Sequence, residues 1–348
     1  MRIIVTTTMA PFVTGGAEYL AKNLITELTK KGHEVELINI PMTEYPRDLI
    51  ENGILTARLL ELEHLTTGKS DLLIGLKFPA YFAKHSNKVI WALHQYREAY
   101  DLWKTDYSEM HTNPGAERIR KIIMNADNLY LKEAKGIYTI SQNVSDRMQK
   151  YNQISSKCLY HPCPDMEKFY QGKYKNYILM PSRICLTKRQ TLAVEALMHT
   201  KSNIELYIVG TADHESAKNV LLHHIKEYGL EKRVKLLNYV TQEEKLKLYA
   251  NARAVMFIPY DEDYGYITLE GMSAGKALIT ATDSGGSLEF IENGKTGIVV
   301  KPNPTDLAKA IDEVANSVSM AKELGKAAKK RIGEMDISWE NVVKELTK

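Results

Sequence analysis

Short β-branched runs alternate with longer stretches of helical spacing along this whole chain, and that alternation constrains the fold more than any other feature. Residues 3–7 read as a strand. After a loop, residues 17–31 set Leu20, Leu24, Ile25 and Leu28 on one helical face and stop at Gly32. Residues 34–40 alternate like a second strand. A strand–helix–strand unit of this kind closes as a parallel crossover, so an α/β sheet begins here. Further strands are expected at 72–76, 89–93 and 136–140, with a long helix at 116–134.

The periodicity breaks around Tyr160, His161, Pro162, Cys163 and Pro164, and Lys173 to Asn176 is polar. The alternation then restarts. Strands are expected at 177–180, 205–209, 234–237, 254–258, 277–281 and 297–299. Helices are expected at 191–199, 216–228, 242–250, 268–273, 287–292 and 305–316. The fold class is therefore α/β, with two Rossmann-like doubly wound domains facing a cleft. The first is placed at 1–165 and the second at 166–334, which suits 348 residues at about 100–200 per domain. Ligands in such sheets bind at the carboxyl ends of the strands.

Charge and cysteine usage narrow the function. Lys plus Arg number 46 and Asp plus Glu 43, a net +3 that argues against a dedicated nucleic-acid binder. Three cysteines argue against a disulfide framework and for a reducing, cytoplasmic setting. No run approaches about 18 apolar residues, and the apolar start ends at Pro11, so neither a membrane span nor a targeting segment is expected.

Four constellations carry chemistry. Glu262 and Glu270 are separated by seven residues, the first after a strand and the second in the opening turn of a helix. Gly265 permits close backbone approach, and the Gly265, Tyr266 and Ile267 amides would open a helix N-terminus. Carboxylates accept pairs of hydrogen bonds from sugar diols, so one could hold a ribose and the other a hexose. The competing reading is a solvated acidic loop. Arg183 and Lys188 follow the strand at 177–180, where a diphosphate leaving group would need cations. Gly15 and Gly16 precede the first helix, and His94 ends the strand at 89–93. Each of these also suits a plain structural role.

Taken together these residues resemble a retaining glycosyltransferase with the GT-B fold, of the family 4 type. The family's E-x7-E motif appears as Glu262-Asp263-Tyr264-Gly265 leading to Glu270-Gly271, with Asp263 and Tyr264 standing where Gly and Phe are usual. Its Arg with a Lys five residues on matches Arg183 and Lys188. Its Gly-Gly-x-Glu loop matches Gly15 to Glu18, and its strand-end His matches His94. Ser338-Trp339-Glu340 resembles the start of its closing helix, so residues about 335–348 are expected to return to the first domain.

The resemblance implies specific roles. Glu270 would hold the ribose, and Glu262 with the Gly265, Tyr266 and Ile267 amides the donor sugar. Arg183 and Lys188 would neutralise the departing diphosphate, Gly15 and Gly16 would approach it, and His94 would lie near the transferred sugar. The implied donor is a UDP- or GDP-sugar with no cofactor or metal required. The implied acceptor is a glycan, a lipid-linked or a small molecule, in polysaccharide or glycoconjugate synthesis. A front-face transfer needs no protein base, and Glu262 as nucleophile is the runner-up.

Rival readings stand beside this one. A catalytically silent sugar-nucleotide-binding subunit is one, and retention of every charged site element argues against it. A dinucleotide-dependent oxidoreductase suits the alternation but lacks the glycine fingerprint. Asp261, Glu262 and Asp263 also read as a divalent-metal motif, and Cys158, His161 and Cys163 as three ligands of an incomplete zinc site. Lys84, His85 and Lys88 beside Tyr81 and Phe82 read as a peripheral contact with the inner face of an anionic membrane.

Overall fold

The computed structural model describes residues 1–11 and 15–348. In chain order the strands are β1 (Arg2–Met9), β2 (Glu34–Pro41), β3 (His64–Leu65), β4 (Gly68–Lys69), β5 (Leu72–Gly75), β6 (Lys88–Ala92), β7 (Gly136–Thr139) and β8 (Lys157–Cys158). They continue as β9 (Tyr177–Pro181), β10 (Glu205–Val209), β11 (Val234–Leu237), β12 (Ala254–Met256), β13 (Ala277–Ala281) and β14 (Gly297–Val300). The helices begin with α1 (Gly16–Lys30), α2 (Leu49–Leu59), α3 (Ala116–Tyr130) and α4 (Gln142–Asn152). Then come α5 (Gln190–Met198), α6 (Glu215–Glu227), α7 (Gln242–Asn251), α8 (Tyr266–Ser273), α9 (Pro304–Asn316), α10 (Val318–Glu334) and α11 (Trp339–Leu346).

The chain forms two compact units, Met1–Pro164 with Ile337–Lys348, and Asp165–Asp336. Among the described residues the first unit holds a six-stranded parallel sheet in the order β2-β1-β5-β6-β7-β8. Its central strands β1, β5 and β6 are buried on both faces, which explains their near-continuous apolar runs, whereas the edge strand β2 alternates. Phe78, Tyr81, Phe82, Tyr96 and Tyr100 fill the space beneath α2 and α3. Helix α11 belongs here. It turns Val342, Val343 and Leu346 inward, and Trp339 packs edge-on to Trp91 at 6.2 Å.

The second unit has the order β11-β10-β9-β12-β13-β14, again all parallel. Ile178, Met180, Ile208, Met256 and Ile279 form its centre at 0–1% exposure. Burial of each such side chain contributes roughly 1.5–3 kcal/mol. From β9 the chain winds outward to β10 and β11, then returns to β12 on the other side. The topological switch point therefore lies between β9 and β12, and the loops leaving these two strands converge there.

Several expectations are corrected. The strand expected at 254–258 stops at Met256, and α8 begins at Tyr266 rather than 268. Tyr266 and Ile267 look like strand residues, but left-handed Gly265 starts a helix at once. The segment 287–292 is only a 3-10 turn at Gly286–Glu289. Helices α2, α4 and α10, the β3–β4 hairpin and the short β8 lie outside the expected elements.

The basic and aromatic membrane patch does not exist as a surface. Tyr81, Phe82 and Lys88 are at most 1% exposed, and the Lys88 ammonium reaches Glu133 at 3.1 Å. Burial holds that ammonium below its ordinary value. His85 is half-buried against Ser70 at 3.0 Å, leaving Lys84 exposed. Among the described residues no helix is long and apolar enough to cross a membrane.

His161 lies edge-on to Trp91 at 5.4 Å and beside Trp339 at 5.8 Å. It is packed as a core ring. Among the described residues no group of three or more His, Cys, Asp or Glu is placed to hold a metal ion, at the Cys158–Cys163 segment or at Asp261 to Asp263.

Candidate functional site

Three loops leave the carboxyl ends of β9, β12 and β13, and backbone bonds tie them together. Tyr260 N–H donates to Thr187 O at 2.8 Å, joining the β12 loop to the β9 loop. Asp261 N–H donates to Asp283 O at 2.8 Å, and Gly286 N–H to Glu262 O at 2.7 Å, joining the β12 loop to the β13 loop. The sequence permits this because Gly286 leaves no room for a side chain: a Cβ there would sit 2.5 Å from Asp263 O. Arg189, in the left-handed region, adds a two-pronged pair to Asp283 at 2.8 and 2.6 Å.

This framework brings Lys188 and Glu262 into a direct ion pair. Both side chains are mostly buried, at 15% and 20% exposure, and the ammonium lies 5.2 Å from the Phe257 ring centroid. Arg183 comes from the same loop. A bridge between Ile184 and Ala212 aligns the loops after β9 and β10, and Arg183 Nη1 meets Asp213 Oδ1 at 2.7 Å. Arg183 is 60% exposed, so its fork faces solvent.

Gly265 has φ +87° and caps α8, placing the amides of Tyr266 and Ile267 at the helix start. Tyr264 is buried edge-on to Phe290 at 5.4 Å, so the ring standing in place of the expected Phe serves as core. Glu270 falls in the second turn of α8, not the first, because the helix begins earlier. It is 6% exposed. Lys245 Nζ donates to its Oε1 at 2.6 Å, and Tyr249 donates its hydroxyl to Oε2.

The first unit carries the other two sequence candidates. Gly15 caps α1, and its N–H donates to Glu18 Oε2 at 2.8 Å, the glutamate half of a capping box, which gives the Gly-Gly-x-Glu pattern a structural role. The loop residues 12–14 before it lie outside the described residues. His94 follows β6. Its Nδ1 lies 2.6 Å from Gln95 O, so Nδ1 carries a proton and donates.

The sequence reading missed Asp213, Asp283, Arg189, Lys245 and Tyr249. Lys245 and Tyr249 had one available signal. They are four apart on a helix, hence on one face.

The second unit is also where a known family registers. Residues 165–331 match the model for glycosyl transferases group 1. The second unit is a glycosyl transferases group 1 domain. Alpha-1,3/1,6-mannosyltransferase ALG2 of Dictyostelium discoideum is 33% identical over 141 residues, covering 38% of this chain and 33% of the relative. Human ALG2 is 27% identical over 176 residues, covering 47% of this chain and 42% of the relative. The chain thus spans between 33% and 42% of the length of these curated relatives.

Beyond the group 1 domain, the fold of the whole chain resembles solved glycosyltransferases. Sucrose-phosphate synthase from Thermosynechococcus elongatus superposes with a TM-score of 0.82 at 16% identity, covering 100% of this chain and 98% of that one. Anabaena HepE, solved in complex with UDP-glucose, gives 0.73 at 16% identity with the same coverage. These likenesses establish the two-Rossmann GT-B architecture.

Proposed function

We propose that the chain is a retaining glycosyltransferase that moves a hexose from a nucleoside diphosphate sugar, UDP- or GDP-linked, to a glycan, lipid-linked or small-molecule acceptor. The observation that carries this is the gathering of Arg183, Lys188, Glu262 and Glu270 on loops and a helix at one switch point of a group 1 domain. In this reading Glu270 accepts from the ribose hydroxyls. Glu262 and the Gly265, Tyr266 and Ile267 amides hold the hexose. Arg183 and Lys188 face the diphosphate.

The chemistry follows from charge. The bond from the anomeric carbon to the diphosphate oxygen breaks, and negative charge grows on that oxygen. Cations already fixed in place strengthen their attraction as it grows, which lowers the barrier. Lys188 is fixed by Glu262, and Arg183 by Asp213. The acceptor hydroxyl oxygen forms the new bond on the same face and passes its proton to the departing phosphate. Glu262 as a nucleophile is disfavoured by its ion pair with Lys188, since a carboxylate bound to an ammonium is a poorer electron donor. In the first unit, His94 and the Gly15–Gly16 turn are proposed substrate contacts.

The test is a thermal-shift panel of UDP- and GDP-sugars, followed by mass spectrometry of transfer or hydrolysis products. A matching donor stabilises the chain, and Glu270→Ala abolishes both the shift and turnover. Full activity in Glu270→Ala overturns the assignment, and binding without turnover on any acceptor favours a silent binding subunit.

A further inference from the structure

We infer that Lys245 and Tyr249 of α7 are positioning residues that aim Glu270 and thereby set the preference for an intact ribose diol. This rests on the reading above that Glu270 receives the ribose.

Tyr249 is fully buried, and its hydroxyl goes to Glu270 Oε2. Its ring packs edge-on to Phe169 at 5.2 Å, which holds in place the ring that carries the hydroxyl. Lys245, one helical turn earlier, stands 5.4 Å from the Phe169 ring centroid and holds Oε1 at 2.6 Å. One side chain of α7 thus grips each carboxylate oxygen, and Phe169 backs both grips.

The carboxylate cannot rotate about its last torsion without breaking both bonds. Each oxygen already accepts one bond from α7, one of the two from a cation. Each oxygen has about two acceptor sites, so one per oxygen remains. A cis-diol supplies two donors at matching separation, whereas a deoxyribose supplies one and leaves a buried charged acceptor unsatisfied.

The experiment is calorimetry on the full chain with UDP, GDP and their 2′-deoxy counterparts. The wild type is expected to prefer the ribonucleotide by about tenfold or more, as for a hydrogen bond to a charged group. Tyr249→Phe and Lys245→Met each shrink that preference toward unity, weaken the ribonucleotide about tenfold, and raise KM more than they lower kcat. Lys245→Arg, which keeps the cation, retains the preference. Tyr249→Phe keeps the ring against Phe169, and hydrogen exchange on α8 verifies that it folds.

If both substitutions leave the preference within about twofold of wild type while Glu270→Gln abolishes it, the inference fails and the ribose role stands. If Glu270→Gln changes neither affinity nor preference, the ribose role fails and the inference with it. Binding of none of the four nucleotides overturns the proposed function itself.

Discussion

Gly265→Ala should destabilise the second unit by roughly 2–5 kcal/mol, and the cost divides into two separable parts. Gly265 sits at φ +87°, where an L-residue pays about 1–2 kcal/mol. A Cβ at this position would also lie 2.5 Å from Ser287 Oγ and 3.0 Å from Phe257 Cε1, an overpacking cost of about 1–3 kcal/mol. Ser287 Oγ is buried without a hydrogen-bond partner among the described residues, so Ser287→Ala alone should change stability by less than about 0.5 kcal/mol. It removes the clashing atom. The double variant should therefore recover the part of the loss due to Ser287, about 1 kcal/mol, and retain the backbone part. The assay is hydrogen exchange across β12, α8 and β13 in rising denaturant. Trp91, Trp103 and Trp339 all belong to the first unit, so tryptophan fluorescence serves as an internal control. Strict additivity of the two substitutions would refute the steric argument, and a cost below about 1 kcal/mol for Gly265→Ala would refute the whole account.

Two other outcomes are expected. Lys188→Met should lower turnover by about 10²–10³-fold, as for loss of a fixed group that meets developing charge, and a change under threefold in steady-state assays would remove it from the mechanism. Burial depresses the His161 imidazole to about 3 from 6.5, so the folded first unit binds fewer protons than its unfolded chain between those values. Its contribution to stability is present above pH 6.5 and is lost as pH falls toward 3. His161→Phe should flatten the acid limb of unfolding read by tryptophan fluorescence, and an unchanged limb would show that other groups carry it.

The sequence made the two sheets legible because buried parallel strands are runs of apolar residues, which periodicity detects directly. Helix α2 escaped because Gly53 falls within its buried face while Leu55 and Leu59 point outward, which blurs the apolar stripe. The membrane reading failed at Lys88 for a related reason. Sequence shows charge, but only the fold shows Glu133 opposite it. At the site, Glu262, Glu270, Arg183 and Lys188 were singled out by spacing together with the family resemblance. Their partners Asp213, Lys245 and Tyr249 were not, because they come from the loop after β10 and from α7, remote in sequence and joined by topology.

The division of the chain also has a consequence for biosynthesis. Residues 337–348 complete the first unit, yet the ribosome makes them only after all of 165–336. At about 5–20 residues per second, the first sheet waits roughly 9 to 35 seconds for Trp339, the neighbour of Trp91 and His161, to be made. The last strand of the second sheet, β14, ends at Val300, so all six of its strands are made before α11 is. The first unit, begun first, is thus the last to have all of its chain.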